Sequence, residues 1–185
     1  MTAPAQRARR RAVAGLLVGG WGLLLAGCAT PPAPAPGSDW INGRLSLRVE
    51  TGADATTAPR QFSSAFELQG DAERGELRLT SPLGSVVAAA RWSPDAAELV
   101  TGDGTRRYTD LDALAQDTLG EALPLRALPS WLHGRPWPGA PRRDTAGGFE
   151  QLGWQVDLGR YAEGWLEVRR SAAPAVTLRA RIERS

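Results

Sequence analysis

The sequence predicts a mainly β domain folded as an incomplete, half-open antiparallel β-barrel, with short α-helices forming a lid over an apolar cavity. Three observations lead to this fold class. Apolar and polar residues alternate with a period of two beyond residue 40, turn signals recur about every ten residues, and two segments show helical spacing. A long sheet with one apolar face must curl or be covered, and two short helices are too few to cover it.

The first 27 residues have the pattern of a signal peptide that is removed from the mature protein. A basic run ends at Arg11, and an apolar stretch of about fifteen residues follows it. That stretch is shorter than the roughly 20 residues that span a bilayer as a helix. Residues 25–28 read LAGC and match the lipobox, in which the cysteine is acylated and becomes the new N-terminus. We therefore expect Cys28 to carry a lipid anchor.

A short spacer joins this cysteine to the domain. Residues 31–37 read PPAPAPG, a composition that favours an extended polyproline conformation and cannot build a core. Such a tether holds the domain on the order of 20 Å from the membrane. The predicted organisation is a signal peptide over residues 1–27, the lipidated cysteine and tether over residues 28–39, and a single domain over residues 40–185.

Composition argues against several classes of function. Removal of the leader leaves 18 basic and 20 acidic residues, so binding to nucleic acid by phosphate neutralisation is not expected. One Cys and one His argue against an internal disulfide and against cysteine or polyhistidine metal sites. The sequence lacks a phosphate-binding glycine loop and the G-x-S-x-G and H-E-x-x-H motifs. We expect a protein that is not an enzyme and that needs no metal or cofactor.

The alternating segments predict which side chains face the interior of the curved sheet. Gly43, Ser64, Ala88 and Ala90 are small and leave room for a cavity, although the period alone leaves open whether the interior is filled or hollow. The predicted inward set comprises Ile41, Gly43, Leu45, Leu47, Val49, Phe62, Ser64, Phe66, Leu68, Leu77, Leu79, Val86, Ala88, Ala90, Trp92, Leu152, Trp154, Val156, Leu158, Leu166, Val168, Val176, Leu178, Ala180 and Ile182.

Two helical segments interrupt the alternation. Asp110 is suited to cap the first helix and Gly120 to end it. The apolar face of that helix is formed by Leu111, Leu114, Ala115 and Leu119. The second segment covers residues 125–133, and Pro129, which removes one internal hydrogen bond, is expected to leave it short or broken. The prolines and glycines of residues 134–148 predict a loop.

The tryptophans allow two interpretations. Trp92, Trp131 and Trp154 lie on predicted apolar faces, where they form either ordinary core or the wall of an acyl-binding cavity. Trp165 falls on the opposite phase of its strand and is expected to cover an edge. His133 lacks an acidic partner at local spacing and is expected to be solvated or hydrogen-bonded, not catalytic.

Several segments together resemble one known family in their order and spacing. After the lipobox these are FSSAFELQG at 62–70, GELRLTSPLG at 75–84, Arg91-Trp92, Arg107-Tyr108, PLRALPSWLHG at 124–134 and FEQLGW at 149–154. From Cys28 nearly to the C-terminus the chain is similar to the LolB family of outer-membrane lipoprotein receptors. The resemblance implies an apolar cavity for acyl chains, whose candidate lining is Phe62, Phe66, Leu68, Leu79, Trp92, Trp131, Leu132 and Trp154.

One loop carries a role in that family. Pro82 suits the second position of a type I turn and Gly84 the fourth, which puts Leu83 at the tip. The residues alone leave open whether this leucine projects or tucks into the core. The resemblance implies that the loop of Pro82, Leu83 and Gly84 projects and acts in membrane insertion.

The resemblance also implies the partners and the location of the protein. It implies an anchored monomer on the periplasmic side of the outer membrane, in contact with the inner leaflet of that membrane. The protein receives lipoproteins from the periplasmic carrier LolA and shelters their acyl chains. Two alternatives remain: a lipoprotein that binds some other lipid or small apolar ligand, and a structural lipoprotein of envelope assembly.

Overall fold

The computed structural model describes residues 40–50, 60–119 and 123–183. The predicted leader, Cys28, the tether and the helix stop at Gly120 lie outside the described residues. In the ranges that are described, none of the helices combines the length and apolar character that crossing a bilayer demands.

One antiparallel sheet of eleven strands forms the body of the domain. The strands along the chain are β1 (Ile41–Val49), β2 (Arg60–Gly70), β3 (Gly75–Thr80), β4 (Val86–Ser93), β5 (Ala96–Thr101), β6 (Gly104–Tyr108), β7 (Arg142–Thr145), β8 (Gly148–Gln151), β9 (Trp154–Asp157), β10 (Trp165–Arg170) and β11 (Val176–Glu183). Two helices, α1 (Leu111–Leu119) and α2 (Leu128–Leu132), lie between β6 and β7, and a 3₁₀ turn covers Tyr161–Glu163.

The sheet consists of two meanders, β1 to β6 and β7 to β11, which are joined by pairing of the first strand with the last. Spatial neighbours are also neighbours in sequence except at the pairing of β1 with β11, which runs from Asn42 opposite Glu183 to Val49 opposite Val176. Strands β6 and β7 remain as the two free edges. The sheet is therefore not closed, and the helical segment connects one edge to the other. The predicted half-open antiparallel barrel with two helices is confirmed.

Gly43 permits the junction between the two meanders. A Cβ atom at this position would lie 2.1 Å from the backbone oxygen of Arg181 on β11 and 3.0 Å from the Phe66 ring. Only a residue without a side chain fits so close to the neighbouring strand. Gly43 therefore serves strand contact, and the space beside it is occupied by Phe66.

Because neighbouring strands are antiparallel, successive turns lie at alternate ends of the sheet. The turns at residues 81–85, 102–103, 152–153 and 171–175 share one end, which we call the Leu83 end. The turns at residues 71–74, 94–95 and 146–147 lie at the opposite end.

The inner face of the sheet is filled on the side of β8 to β11. Helix α2 packs against this side and also contacts β2, with Trp131 and Leu132 fully buried. The Trp131 and Trp154 rings are tilted by 51° with centroids 6.4 Å apart, a favourable aromatic geometry. Val156, Leu166, Val168 and Ala180 from the sheet are equally buried. This half of the interior is a packed core.

The start of each helix is explained by one residue, Asp110 for α1 and Pro129 for α2. The Asp110 carboxylate accepts a 2.7 Å hydrogen bond from the Ala113 N–H, which confirms the predicted cap of α1. Helix α2 is short, as expected, but it begins only at Leu128. Pro129 lies in its first turn, where the missing N–H has no helical partner to lose. The proline therefore starts the helix and does not break it.

Three local predictions are wrong. Residues 134–148 are not all loop, because β7 lies within them and pairs with β8. Leu152 does not face the interior; it lies in the turn between β8 and β9 and is 46% exposed. Trp165 covers no edge, because β10 is flanked by β9 and β11. Its ring instead lies on the outer face, 5.5 Å from the Arg160 guanidinium and 5.0 Å from that of Arg181.

Candidate functional site

A cleft of about 450 Å³ lies between the sheet and helix α1, on the side of β1 to β6. Its size falls within the range of about 300–1,000 Å³ that is usual for ligand sites. The wall is mostly aliphatic. The lining residues are Leu47, Phe62, Leu77, Leu79, Val87, Ala88, Ala90, Leu99, Thr101 and Arg106 from the sheet, Leu114, Asp117 and Thr118 from α1, and Leu125 from the segment before α2.

Small side chains on β4 leave part of this half of the interior unfilled. Ala88 and Ala90 face inward where β8 to β11 carry larger residues, and both line the cleft. Helix α1 contacts the neighbouring strands β5 and β6 and supplies Leu114 to the cleft wall. The side of β1 to β6 is thus packed around Phe66, Leu68 and Trp92 and hollow beside Ala88 and Ala90.

A β-bulge shapes the rim of the cleft. Thr80 pairs with Val86 and Leu79 pairs with Ala88, so Val87 is an extra residue in β4. Strict alternation would turn Val87 to the outer face, but a bulge re-aims side chains, and Val87 lines the cleft.

The apolar part of the cleft is exposed at the Leu83 end, and its polar edge is exposed at Arg106 and Asp117. Among its lining residues, Phe62 and Val87 are 40% and 38% exposed, and both lie close to the ends of their strands there. Val86, which alternation predicts to face inward, is 60% exposed and lies between the cleft and the Leu83 turn. Apolar surface therefore runs from inside the cleft to the tip of the loop.

The Leu83 turn projects from the sheet. The Gly84 N–H donates a 2.9 Å hydrogen bond to the Ser81 carbonyl, which closes a four-residue turn with Pro82 and Leu83 at its centre. Gly84 has a φ of 84°, a conformation that favours glycine. Leu83 is 94% exposed. From the residues alone the leucine had two possible positions, and the structure selects the projecting one.

Only two of the eight sequence-predicted lining residues line the cleft. Phe62 and Leu79 line the cleft. The other six are buried in the hydrophobic core and are not among the residues that line it: Phe66, Leu68, Trp92, Trp131, Leu132 and Trp154. Of the two interpretations of the tryptophans, core packing describes all three. Sequence reasoning also missed cleft residues, above all Val87, Arg106, Leu114, Asp117 and Leu125.

A polar cluster joins the lid helix to the free edge strand β6. The Asp117 carboxylate of α1 accepts hydrogen bonds from the Arg106 guanidinium at 2.7 Å and from the Tyr108 hydroxyl at 2.6 Å. The hydrogen bond to Asp117, helped by burial, raises the pKa of Tyr108. Arg106 and Asp117 are part of the cleft wall, so the cleft has polar groups at this edge and aliphatic groups elsewhere.

Gln151 fixes α2 to the sheet. It is buried, and its Oε1 accepts hydrogen bonds from the Trp131 indole N–H at 2.8 Å and the Trp137 backbone N–H at 2.9 Å. Its amide nitrogen donates to the carbonyls of Trp137 at 2.7 Å and Ala140 at 2.8 Å. Every polar group of this side chain is therefore used in the junction.

The titratable side chains of the described residues do not gather into a metal site. These residues contain no cluster of three or more His, Cys, Asp or Glu side chains that could hold a metal ion. The His133 ring Nδ1 lies 2.8 Å from the Pro129 carbonyl oxygen, which matches the expected hydrogen-bonded histidine. An aliphatic cleft with a polar edge can hold a long apolar ligand that carries a polar group at one end.

Comparison with known protein families identifies the family to which this domain belongs. A family model described as Outer membrane lipoprotein LolB matches residues 40–182. The chain belongs to the LolB family. The family resemblance predicted from the sequence is confirmed, and the match extends over nearly all the described residues.

Curated relatives agree with the family match, and each is named Outer-membrane lipoprotein LolB. The relative from Cupriavidus pinatubonensis is 40% identical over 184 residues, covering 91% of this chain and 84% of the relative. That from Bordetella petrii is 37% identical over 158 residues, covering 80% and 79%. That from Bordetella pertussis is 34% identical over 149 residues, covering 75% and 74%.

Replacing Gln151 with leucine is expected to lower the free energy of unfolding by about 3 kcal/mol, because buried N–H and carbonyl groups lose their partners. Urea unfolding followed by circular dichroism measures the change. Gln155→Leu, on an exposed position of neighbouring β9, is the control and should change stability by less than about 0.5 kcal/mol. Equal stability of the two variants would contradict the role given to Gln151.

Proposed function

We propose that this LolB-family chain is an outer-membrane lipoprotein that receives other lipoproteins from the periplasmic carrier LolA and delivers them to the inner leaflet of the outer membrane. The observation that carries the proposal is the apolar cleft of about 450 Å³ beneath α1. The cleft opens at the end of the sheet from which Leu83 projects. The cleft that would hold the acyl chains therefore lies next to the apolar tip at Leu83.

Physical chemistry requires such a shelter. Hydrating about fifteen methylenes costs roughly 12 kcal/mol at about 0.8 kcal/mol each, so three acyl chains cost on the order of 36 kcal/mol. Release into water across that barrier is immeasurably slow. The acyl chains must pass directly from the carrier into the cleft while the two proteins are docked, and from the cleft directly into lipid.

The polar edge of the cleft suits the head of such a cargo. Acyl chains of a lipoprotein end in ester and amide groups, which accept hydrogen bonds. Arg106 and Thr101 in the wall carry donors, whereas the remaining wall is aliphatic. The chains lie against the leucines and alanines, and the acylated cysteine of the cargo lies toward β6.

The anchor belongs to the same proposal. Cys28, directly after the signal peptide of residues 1–27, is acylated and becomes the N-terminus on cleavage, and residues 28–39 form the tether of a single domain that begins at residue 40. More than one acyl chain makes such an anchor stable. The anchored chain acts as a monomer, and neither catalysis nor a cofactor is required, because cargo moves downhill from carrier to membrane.

Filling the cleft should abolish reception. Ala88→Phe places a ring in the cleft, so uptake of a lipoprotein from its carrier complex is expected to fall at least about tenfold, with little change in Tm because the space is empty. Incubation with a carrier–lipoprotein complex, followed by separation of the proteins, shows where the lipoprotein resides.

The matched control for this variant is Ala65→Phe, which adds the same ring to an exposed position of β2. The control should take up cargo like the wild type. Undiminished uptake by Ala88→Phe would show that the cleft is not the receiving site. Free lipid in the native purified protein, in place of captured lipoprotein, would favour the alternative lipid-binding function.

Leu83→Glu is expected to accept cargo normally but to deposit it in liposomes about tenfold more slowly, because a carboxylate at the tip is costly to bring into lipid. Uptake and deposition are measured separately, from loss of cargo by the carrier and from its recovery with the liposomes. Unchanged deposition would refute the role of the loop. Leu83→Met, which keeps the tip apolar, should deposit cargo normally.

Cys28→Ala, exported under a different signal peptide, is expected to yield a soluble protein that takes lipoprotein from the carrier at the wild-type rate. The reason is that the anchor sets location, whereas the cleft lies wholly in the folded domain. Mass spectrometry of the wild-type N-terminus checks the acylation itself. Failure of the soluble form to take up cargo would make the anchor part of the receptor.

A further inference from the structure

The turn between β8 and β9 contains a residue type that is unusual for its backbone conformation. Leu152 and Gly153 form the two-residue connection, with φ values of 56° and 77°. Positive φ at both central residues is the pattern of a type I′ hairpin turn, for which Asn, Asp or Gly is the usual first residue. Leu152 is the one non-glycine residue with positive φ in the part of the chain that the structure describes.

Folding alone gives no reason for leucine at this position. A bulky side chain is disfavoured in the left-handed region, so Leu152 keeps the backbone strained. The burial that it gains in return is only partial, since Leu152 is 46% exposed. A residue that is both strained and apolar at a surface indicates a function other than packing.

The position of Leu152 indicates what this function is. The β8–β9 turn lies at the Leu83 end of the sheet, where Leu83 itself is the most exposed large apolar residue. Five strand steps separate β3 from β9, which is about 24 Å along the sheet at about 4.8 Å per step. The domain therefore presents two apolar tips on one end, Leu83 beside the cleft and Leu152 beside the packed strands β8 to β11.

We propose that Leu152 is a second point of contact between this domain and the lipid surface. The proposal rests on the proposed function, because it takes the Leu83 end as the end that meets the membrane. Two contacts far apart fix the tilt of the domain, which a single projecting loop cannot do. The tilt that brings both tips to the lipid also directs the mouth of the cleft toward it.

Charge around Leu152 indicates an apolar contact, not an electrostatic one. On neighbouring β7, Arg142 forms an ion pair with Asp144 at 2.9 Å, and Arg143 pairs with Glu150. These arginines are thus neutralised by acids of the same hairpin. Contact is therefore expected with zwitterionic lipid, without a need for anionic headgroups.

Site-specific labels test the contact directly. The natural chain has one cysteine, Cys28, so a fluorophore can be attached to single new cysteines in the full chain reconstituted in phosphatidylcholine vesicles. The positions are Leu83→Cys, Leu152→Cys and, as the control, Asp95→Cys in an exposed turn at the opposite end. Labelled wild type corrects for any reaction at Cys28, and lipids carrying a nitroxide on the acyl chain quench a label that enters the membrane.

The expected result is quenching at least about threefold stronger at positions 83 and 152 than at position 95. Quenching at position 83 alone would overturn the second contact and leave the proposed function intact. Quenching at neither position 83 nor position 152 would overturn both the second contact and the role of the Leu83 loop.

Substitution provides an independent measurement. Leu152→Asn suits the left-handed conformation, so Tm should rise by about 3 °C while deposition of cargo in liposomes slows about fivefold. Uptake from the carrier should not change, since Leu152 does not line the cleft. Leu152→Met retains strain and apolarity and should behave like the wild type in both assays. Wild-type deposition by Leu152→Asn would contradict the proposal.

Discussion

The open edge of the sheet is the constraint from which the rest of the structure follows. Pairing of β1 with β11 joins two meanders, but β6 and β7 do not meet, so the curved sheet cannot hide its own apolar face. The chain between these edges must cover that face. It carries two short helices, and only α2, anchored by Gln151, fills the half on which it lies. Helix α1 covers the other half without filling it, because Ala88 and Ala90 leave space below.

The two helices are attached to the sheet in different ways. Helix α2 is fixed by the packing of Trp131 and by its hydrogen bond to Gln151. Helix α1 buries Leu111, Leu114 and Ala115, and its Asp117 also binds Arg106 and Tyr108 on the edge strand. Such partly exposed ion pairs contribute little stability. The polar part of this attachment can therefore open at low cost, which suits a lid that must let long acyl chains pass.

Sequence alternation predicted β1 to β4 and β9 to β11, because half-buried strands obey a period of two. The cap at Asp110 could be predicted because capping is local. Alternation could not separate the filled part of the interior from the hollow part, because a period shows which face a residue occupies and not what packs opposite. Phe66 and Trp131 were therefore assigned to the same cavity wall as Phe62. The bulge that turns Val87 into the cleft adds one residue to one strand, and the pairing that defines it is long-range.

Leu152 is a second residue for which alternation gave the wrong position. Alternation assigned it to the inner face, because Leu152 and Trp154 are two residues apart, as strand neighbours on one face are. Pairing of Gln151 with Trp154 instead places Leu152 in a two-residue turn, where the side chain faces neither side of the sheet. Residues at which a local pattern fails are expected at functional sites, since stability does not select them. Val86, Val87 and Leu152 are such residues, and all three lie at the end of the barrel where the cleft opens and Leu83 projects.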